Sequence, residues 1–216
     1  ASRLSSAYAM SCLPWALVHL SSMHPVSLIE VTLELSRDLL RRLRADELDL
    51  VVAMMPTGPA PYLSRSWEEQ PIWVTAKDFV SNPDRPVPLV AHNEGCEYRA
   101  RMVQALELTG RRWRFVYTGP GITGLQSAVQ SGMGVSALTR PTLLPGMKVL
   151  TGEDGFPALE KLRVGLFYKH PKLSAAGLVL IIELVARLDS IGATGPVIGA
   201  HGITPIALSG QIDRFE

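Results

Sequence analysis

Residues 113–139, WRFVYTGPGITGLQSAVQSGMGVSALT, decide how the rest of the chain is read. The apolar run at 113–117 predicts a strand, and the glycines of 119–124 predict a tight turn after it. Ile122, Leu125, Ala128 and Val129 then recur at helical spacing and form one apolar face. Gly132 and Gly134 end that helix, and 135–138 predicts a second short strand. The unit is βαβ with almost no loop. Its turn faces the carboxyl ends of the strands, where open α/β sheets bind ligands.

That turn also spells G-x-G-x-x-G, with Gly119, Gly121 and Gly124, so a dinucleotide fingerprint has to be weighed. The context argues against it. The unit lies mid-chain, and no acidic residue stands about 20 positions further on; Thr139 and Arg140 hold that place. The lobe around it has too few strands for half of a Rossmann fold. Free N–H groups at a helix N-terminus, flanked by the hydroxyls of Thr118 and Thr123, suit a carboxylate or another polar group instead. No cofactor is expected.

Composition sets wide bounds. A chain of 216 residues forms one large domain or two small ones. With 47% hydrophobic and 19% charged residues it reads as an ordinary globular protein. No apolar run approaches the roughly 20 residues that span a membrane, and the longest, 175–185, reads as a buried helix. The first residues show no signal-peptide pattern. A net charge of +1 without a polybasic face gives no nucleic-acid surface. Cys12 and Cys96 have no metal-ligand spacing, so no metal is expected, and the default setting is the reducing cytoplasm.

Taken in order, 8–23 predicts a helix stopped by His24-Pro25, and a strand is conceivable around 3–5. Residues 26–33 predict a strand. Ser36, followed by Asp38 in the first turn, gives an N-cap signal for a helix with Leu39, Leu40 and Leu43 inside and arginines outside. Residues 48–55, LDLVVAMM, read as a strand buried on both faces, as in a parallel sheet. Residues 56–70 read as loop and 71–76 as a strand. A second α/β block begins at Val87: strand PLVAH, turn NEG, a helix from Cys96 to Leu108, then the opening stretch. Residues 141–160 read as mostly loop, 162–170 as a strand, and 174–188 as a helix. The tail, 190–216, has no clear period. Two lobes and two crossings imply a hinged binding fold.

Few residues carry chemistry. Cys96 begins a helix, where the dipole lowers a thiol pKa, so a redox-sensing thiolate stands beside the plainer reading of a small buried residue. His92 and Cys96 are four apart but straddle a strand end and a turn, with no third orienting group, so no catalytic residue is assigned and the chain is not read as an enzyme. Trp15, Trp67, Trp73 and Trp113 show no interleaving with basic residues.

The segments at 5–25, 33–52 (LELSRDLLRRLRADELDLVV), 95–119 and 124–138 together resemble the regulatory domain of LysR-type transcriptional regulators, over most of 1–190. That resemblance implies an α/β, two-subdomain, periplasmic-binding-protein-like fold with a hinge of two crossover segments. Subdomain I would hold 1–72 and 165–216, and subdomain II 73–164. A small, anionic or polar effector would bind between them and control DNA binding. The family's winged helix-turn-helix domain would lie outside this chain, so DNA contact would belong to that domain. Self-association as a dimer or tetramer and a cytoplasmic location are implied as well.

The family's effector positions fall on Ser5, Ser6 and Ala7, on Ser36, on Asn93, Glu94, Gly95 and Cys96, and on Thr118, Gly119, Gly121 and Ile122. Cys96 also resembles the position of peroxide-sensing members. The competing readings are a free-standing solute-binding protein of the same fold and a dehydrogenase using the glycine turn.

Overall fold

The computed structural model describes residues 30–32, 34–169, 175–193 and 206–209. The helix expected at 8–23, the strand around 3–5 and the loop of Ser5, Ser6 and Ala7 lie outside the described residues. The strands are β1 (Glu30–Thr32), β2 (Leu50–Met54), β3 (Leu63–Glu69), β4 (Ile72–Ala76), β5 (Val87–His92), β6 (Trp113–Gly119), β7 (Ser136–Leu138), β8 (Met147–Leu150), β9 (Leu162–Tyr168) and β10 (Ile206–Ser209). The helices are α1 (Ser36–Arg44), α2 (Glu97–Leu108), α3 (Ile122–Gln130) and α4 (Ala175–Ala193). The described residues divide into two compact units, which exchange the chain between Glu68 and Glu69 and again between Leu162 and Arg163.

Unit 1 carries a five-stranded sheet in the order β1-β10-β2-β9-β3. β2 is buried throughout, as its LVVAM sequence requires. Its neighbours β10 and β9 both run antiparallel to it, which corrects the parallel sheet expected from the apolar run. A continuous apolar strand reports burial of both faces, not the direction of its partners. Leu39, Leu40 and Leu43 line one face of α1 and pack on Val51, Ala53 and Phe167. On the other face Arg37 and Arg41 are 71% exposed, whereas Arg42 is drawn to Glu34 at 2.8 Å and Glu47 at 3.0 Å.

Two stretches read as loop contain strands. Leu63–Glu69 pairs at the edge of the sheet, with Ser64, Arg65 and Glu68 exposed and Trp67 and Glu69 buried. Met147–Leu150 pairs with β4. The unassigned tail supplies β10, which sits between β1 and β2.

Unit 2 is built on β5 and β6, a parallel pair. After α3 the chain returns on the other side of β5, where Val135 bridges Leu89 in parallel. β7 then pairs with β4, and β4 with β8. Helix α2 covers one face, with Met102, Ala105 and Leu106 packed against Leu89, Ala91 and Trp73. Helix α3 covers the other, with Leu125, Ala128 and Val129 against Val74, Val90 and Leu138.

α3 ends as expected at Gly132, which takes φ 79. The Gly132 amide donates to Val129 O and the Met133 amide to Ala128 O, the paired bonds of a Schellman cap. Gly134 serves another purpose: it lets the chain pass against the backbone of Pro88. No helix among the described residues is long and apolar enough to cross a membrane.

Candidate functional site

The site is assembled from the ends of β5 and β6. These strands are in register at their carboxyl ends, with Ala91 opposite Thr118 and His92 opposite Gly119. Each feeds a helix after a short turn. β5 leads through Asn93, Glu94 and Gly95 to α2, and β6 leads through Pro120 and Gly121 to α3. The N-termini of α2 and α3 therefore leave neighbouring strands at the same level. Asn93, Glu94, Gly95, Cys96, Thr118, Gly119, Gly121 and Ile122 are all brought to this end of unit 2.

The turn before α2 needs Gly95, which holds φ 88. Cys96 is the N-cap, in extended conformation, and makes no side-chain cap bond. Gly121 caps α3 in the same way, with φ −133 and ψ 146, and that helix has no acidic residue in its first turn. The start of α3 thus presents amides without a side-chain acceptor, while at α2 the amides of Tyr98 and Arg99 face the Cys96 sulfur and Glu97 stands in the first turn. Partial positive charge concentrates at such termini and favours an anion.

The glycines of the turn have a local cause. A Cβ at Gly119 would stand 2.9 Å from the Tyr117 hydroxyl, and one at Gly124 would stand 2.5 Å from it. The Tyr117 ring lies across the turn and takes up the space that side chains at these positions would need. Gly124 is already inside α3, so the turn proper is Pro120 and Gly121.

Tyr117 reaches this place through an irregularity. The register slips between Leu89 and Val90, so that Leu89 faces Phe115 and Val90 faces Tyr117, with Val116 left over as a bulge. Strict alternation would put Tyr117 with Trp113 and Phe115 against α2. The bulge turns it toward α3.

His92 is a second site residue that the sequence did not single out as a binding group. Val90 faces α3, and two positions on His92 sets its half-buried imidazole against the backbone of Gly119 and Pro120. Burial lowers its pKa to about 4, against the backbone contacts with Gly119 and Pro120, which raise it. The ring is neutral at pH 7 and keeps one donor and one acceptor. Arg99 braces the same corner: its guanidinium stacks 4.0 Å from the Phe115 ring centroid, and Nη1 donates to the carbonyl of His92 at 3.3 Å.

The sign of the pH effect follows from these values. Between pH 6.5 and about 4 the unfolded chain protonates His92 while the folded chain holds it neutral. Stability present above pH 6.5 is therefore lost as the pH falls through that window, by roughly 1–3 kcal/mol. Urea unfolding at pH 7 and pH 4.5 is expected to show this loss, and His92→Gln is expected to flatten it.

Cys96 departs from the thiolate expectation. The amides of Tyr98 and Arg99 face its sulfur and favour the charged form, but burial is the larger effect and raises the thiol pKa. The position resembles a sensing cysteine, yet its surroundings hold the thiol protonated, the less reactive form.

Ser36 also departs from expectation. α1 is capped by Leu35 without a side-chain bond, and Ser36 is the first helical residue. Its Oγ instead accepts the Met54 amide at 3.0 Å and so ties α1 to β2. Ser36→Ala leaves that amide, in a residue only 6% exposed, without its acceptor. A loss of about 1–2 kcal/mol is expected in thermal or urea unfolding, from a lost tertiary hydrogen bond and not from a lost cap.

Among the described residues no group of three or more His, Cys, Asp or Glu could hold a metal ion.

The family model for the LysR substrate binding domain matches residues 4–189. The HTH-type transcriptional regulator PecT of Dickeya dadantii (strain 3937) is 26% identical over 155 residues, which is 72% of this chain and 49% of PecT. The chain thus spans about half the length of this relative.

Solved structures agree in fold. The CcmR regulatory domain of Synechocystis PCC6803, in complex with 2-PG, superposes with a TM-score of 0.61 at 15% identity, over 88% of this chain and 95% of that one. The bromide-bound regulatory domain of HypT from Salmonella typhimurium gives a TM-score of 0.60 at 12% identity, over 73% of this chain and 80% of that one. The division into two α/β units agrees with the two-subdomain, periplasmic-binding-protein-like fold of these regulatory domains. The chain belongs to the LysR substrate binding domain family, the effector-sensing domains of LysR-type transcriptional regulators.

Proposed function

We propose that this domain binds a small anionic or strongly polar effector at the paired N-termini of α2 and α3, and that occupancy controls DNA binding by the full-length regulator. The observation that carries the reading is the register of β5 and β6, which opens two uncapped helix starts side by side. The amides following Cys96 and Gly121 form the anion-binding surface, and Thr118 adds a hydroxyl. Neutral His92 and the phenol of Tyr117 supply donors and acceptors that choose among anions. Related domains carry such ligands: 2-PG in CcmR and a bromide ion in HypT.

Catalysis has no place in this reading. DNA is contacted by a winged helix-turn-helix domain, the protein works in the cytoplasm, and it assembles as a dimer or tetramer.

A thermal-shift screen of carboxylates, phosphates and halides tests the ligand class. A ligand that prefers the native state raises the transition by mass action. Stabilisation by one family of anions is expected. Stabilisation only by NAD(P)H, or only by uncharged apolar compounds, would contradict the reading.

A further inference from the structure

Helix α2 holds both segments by which the chain enters and leaves unit 2. Tyr98 and Arg101 stand three residues apart, on one side of the helix. The Tyr98 hydroxyl hydrogen-bonds the carboxyl group of Glu69, the first residue of unit 2, which is only 8% exposed. Burial and the Glu69 carboxylate push the Tyr98 phenol well above its ordinary value, so it stays a donor. Arg101 Nη1 lies 2.9 Å from Glu160 Oε2, just before the return strand β9.

Gln70 joins the two segments directly. Its Nε2 donates to the carbonyl of Leu159 at 2.9 Å and to that of Pro71 at 2.9 Å. Tyr98 is also the second residue of the helix whose start, at Cys96, lies in the candidate site. The same first turn thus touches both the ligand position and the first crossover.

We propose that Tyr98 and Arg101 transmit occupancy of the α2 N-terminus to the two crossover segments, which makes α2 the lever of the sensing domain. The proposal rests on the placement of the effector at that N-terminus. An anion there strengthens the first turn by engaging its amides more strongly than the Cys96 sulfur does. Tyr98 passes the change to Glu69 through a buried hydrogen bond, which a low local dielectric strengthens. The Arg101–Glu160 pair contributes less, because Glu160 is 62% exposed and solvent screens it.

The test needs no identified effector. Cys96→Asp places a fixed carboxylate where the amides of Tyr98 and Arg99 already face the side chain. Hydrogen–deuterium exchange of this chain, read by mass spectrometry, is expected to slow about threefold at 94–100 and also at 67–72 and 158–163. Adding Tyr98→Phe is expected to abolish the slowing at 67–72 and to keep it at 94–100. Adding Glu160→Gln is expected to abolish it at 158–163 alone; at that exposed position the fold is safe, so the proposal stays open to refutation if the Tyr98 variant does not fold. Slowing confined to 94–100, or slowing at 67–72 that survives Tyr98→Phe, overturns the transmission and leaves the site in place. No slowing at 94–100 removes the anion site itself, and the proposal with it.

Discussion

Gly134→Ala is expected to destabilise unit 2 by on the order of 3 kcal/mol, at the upper end of the cost of forced overpacking. The added Cβ would overlap the carbonyl oxygen of Pro88 and stand 3.0 Å from its carbonyl carbon. Both atoms are backbone, so no rotamer change relieves the contact. The same oxygen accepts the Val135 amide at 2.8 Å, and the Val90 amide donates to Val135 O at 2.9 Å. Any shift that makes room for the methyl breaks the bridge that joins β7 to β5. Gly132, two residues earlier, is held for its positive φ, and nothing lies within 4 Å of a Cβ there. Gly132→Ala is expected to cost about 1 kcal/mol through backbone strain alone. Urea midpoints of the two variants, at unchanged m-value, check the difference.

Gly121→Asp is expected to abolish effector binding, by about 100-fold or more, while leaving the domain folded. Gly121 has extended backbone angles that any residue adopts. An aspartate there is a favourable N-cap for α3, so stability is expected to change by less than about 1 kcal/mol. Its carboxylate would occupy the amides that the ligand needs and repel an anion at close range. A ligand from the thermal-shift screen, titrated calorimetrically into both proteins, separates the two effects. Unchanged affinity would remove the α3 N-terminus from the site.

Most of unit 2 was legible in its sequence because its signals are local. The apolar face of α3, the Gly132 cap and the strand before the turn all follow from spacing within about 20 residues. Readings failed where a distant partner decides. Ser36 carries the right side chain for a cap, but Met54, 18 residues on, offers its amide to that hydroxyl. β10 is four residues long and becomes a strand because β1 and β2 leave a gap between them. β3 leaves the adjacent Ser64 and Arg65 both exposed, and such a stretch becomes a strand only by pairing at the edge of the sheet.

The candidate site was half legible for the same reason. Helix starts at 96 and 121 can be read from glycines and periodicity. The placement of Tyr117 depends on a one-residue bulge at Val116, and period-2 reasoning has the wrong parity beyond it. His92 becomes a site residue only once β5 and β6 are known to pair with His92 opposite Gly119. At Cys96 the dipole argument named a real effect, and burial, which sequence does not show, outweighed it.

The location of the bound effector tests the account most directly. In an amide-resolved NMR titration with an anion from the screen, the largest shifts are expected at 95–99 and 119–124, with the His92 ring responding in step. Saturable shifts confined to other residues, with these amides unmoved, would contradict the assignment of the two helix N-termini as the effector site.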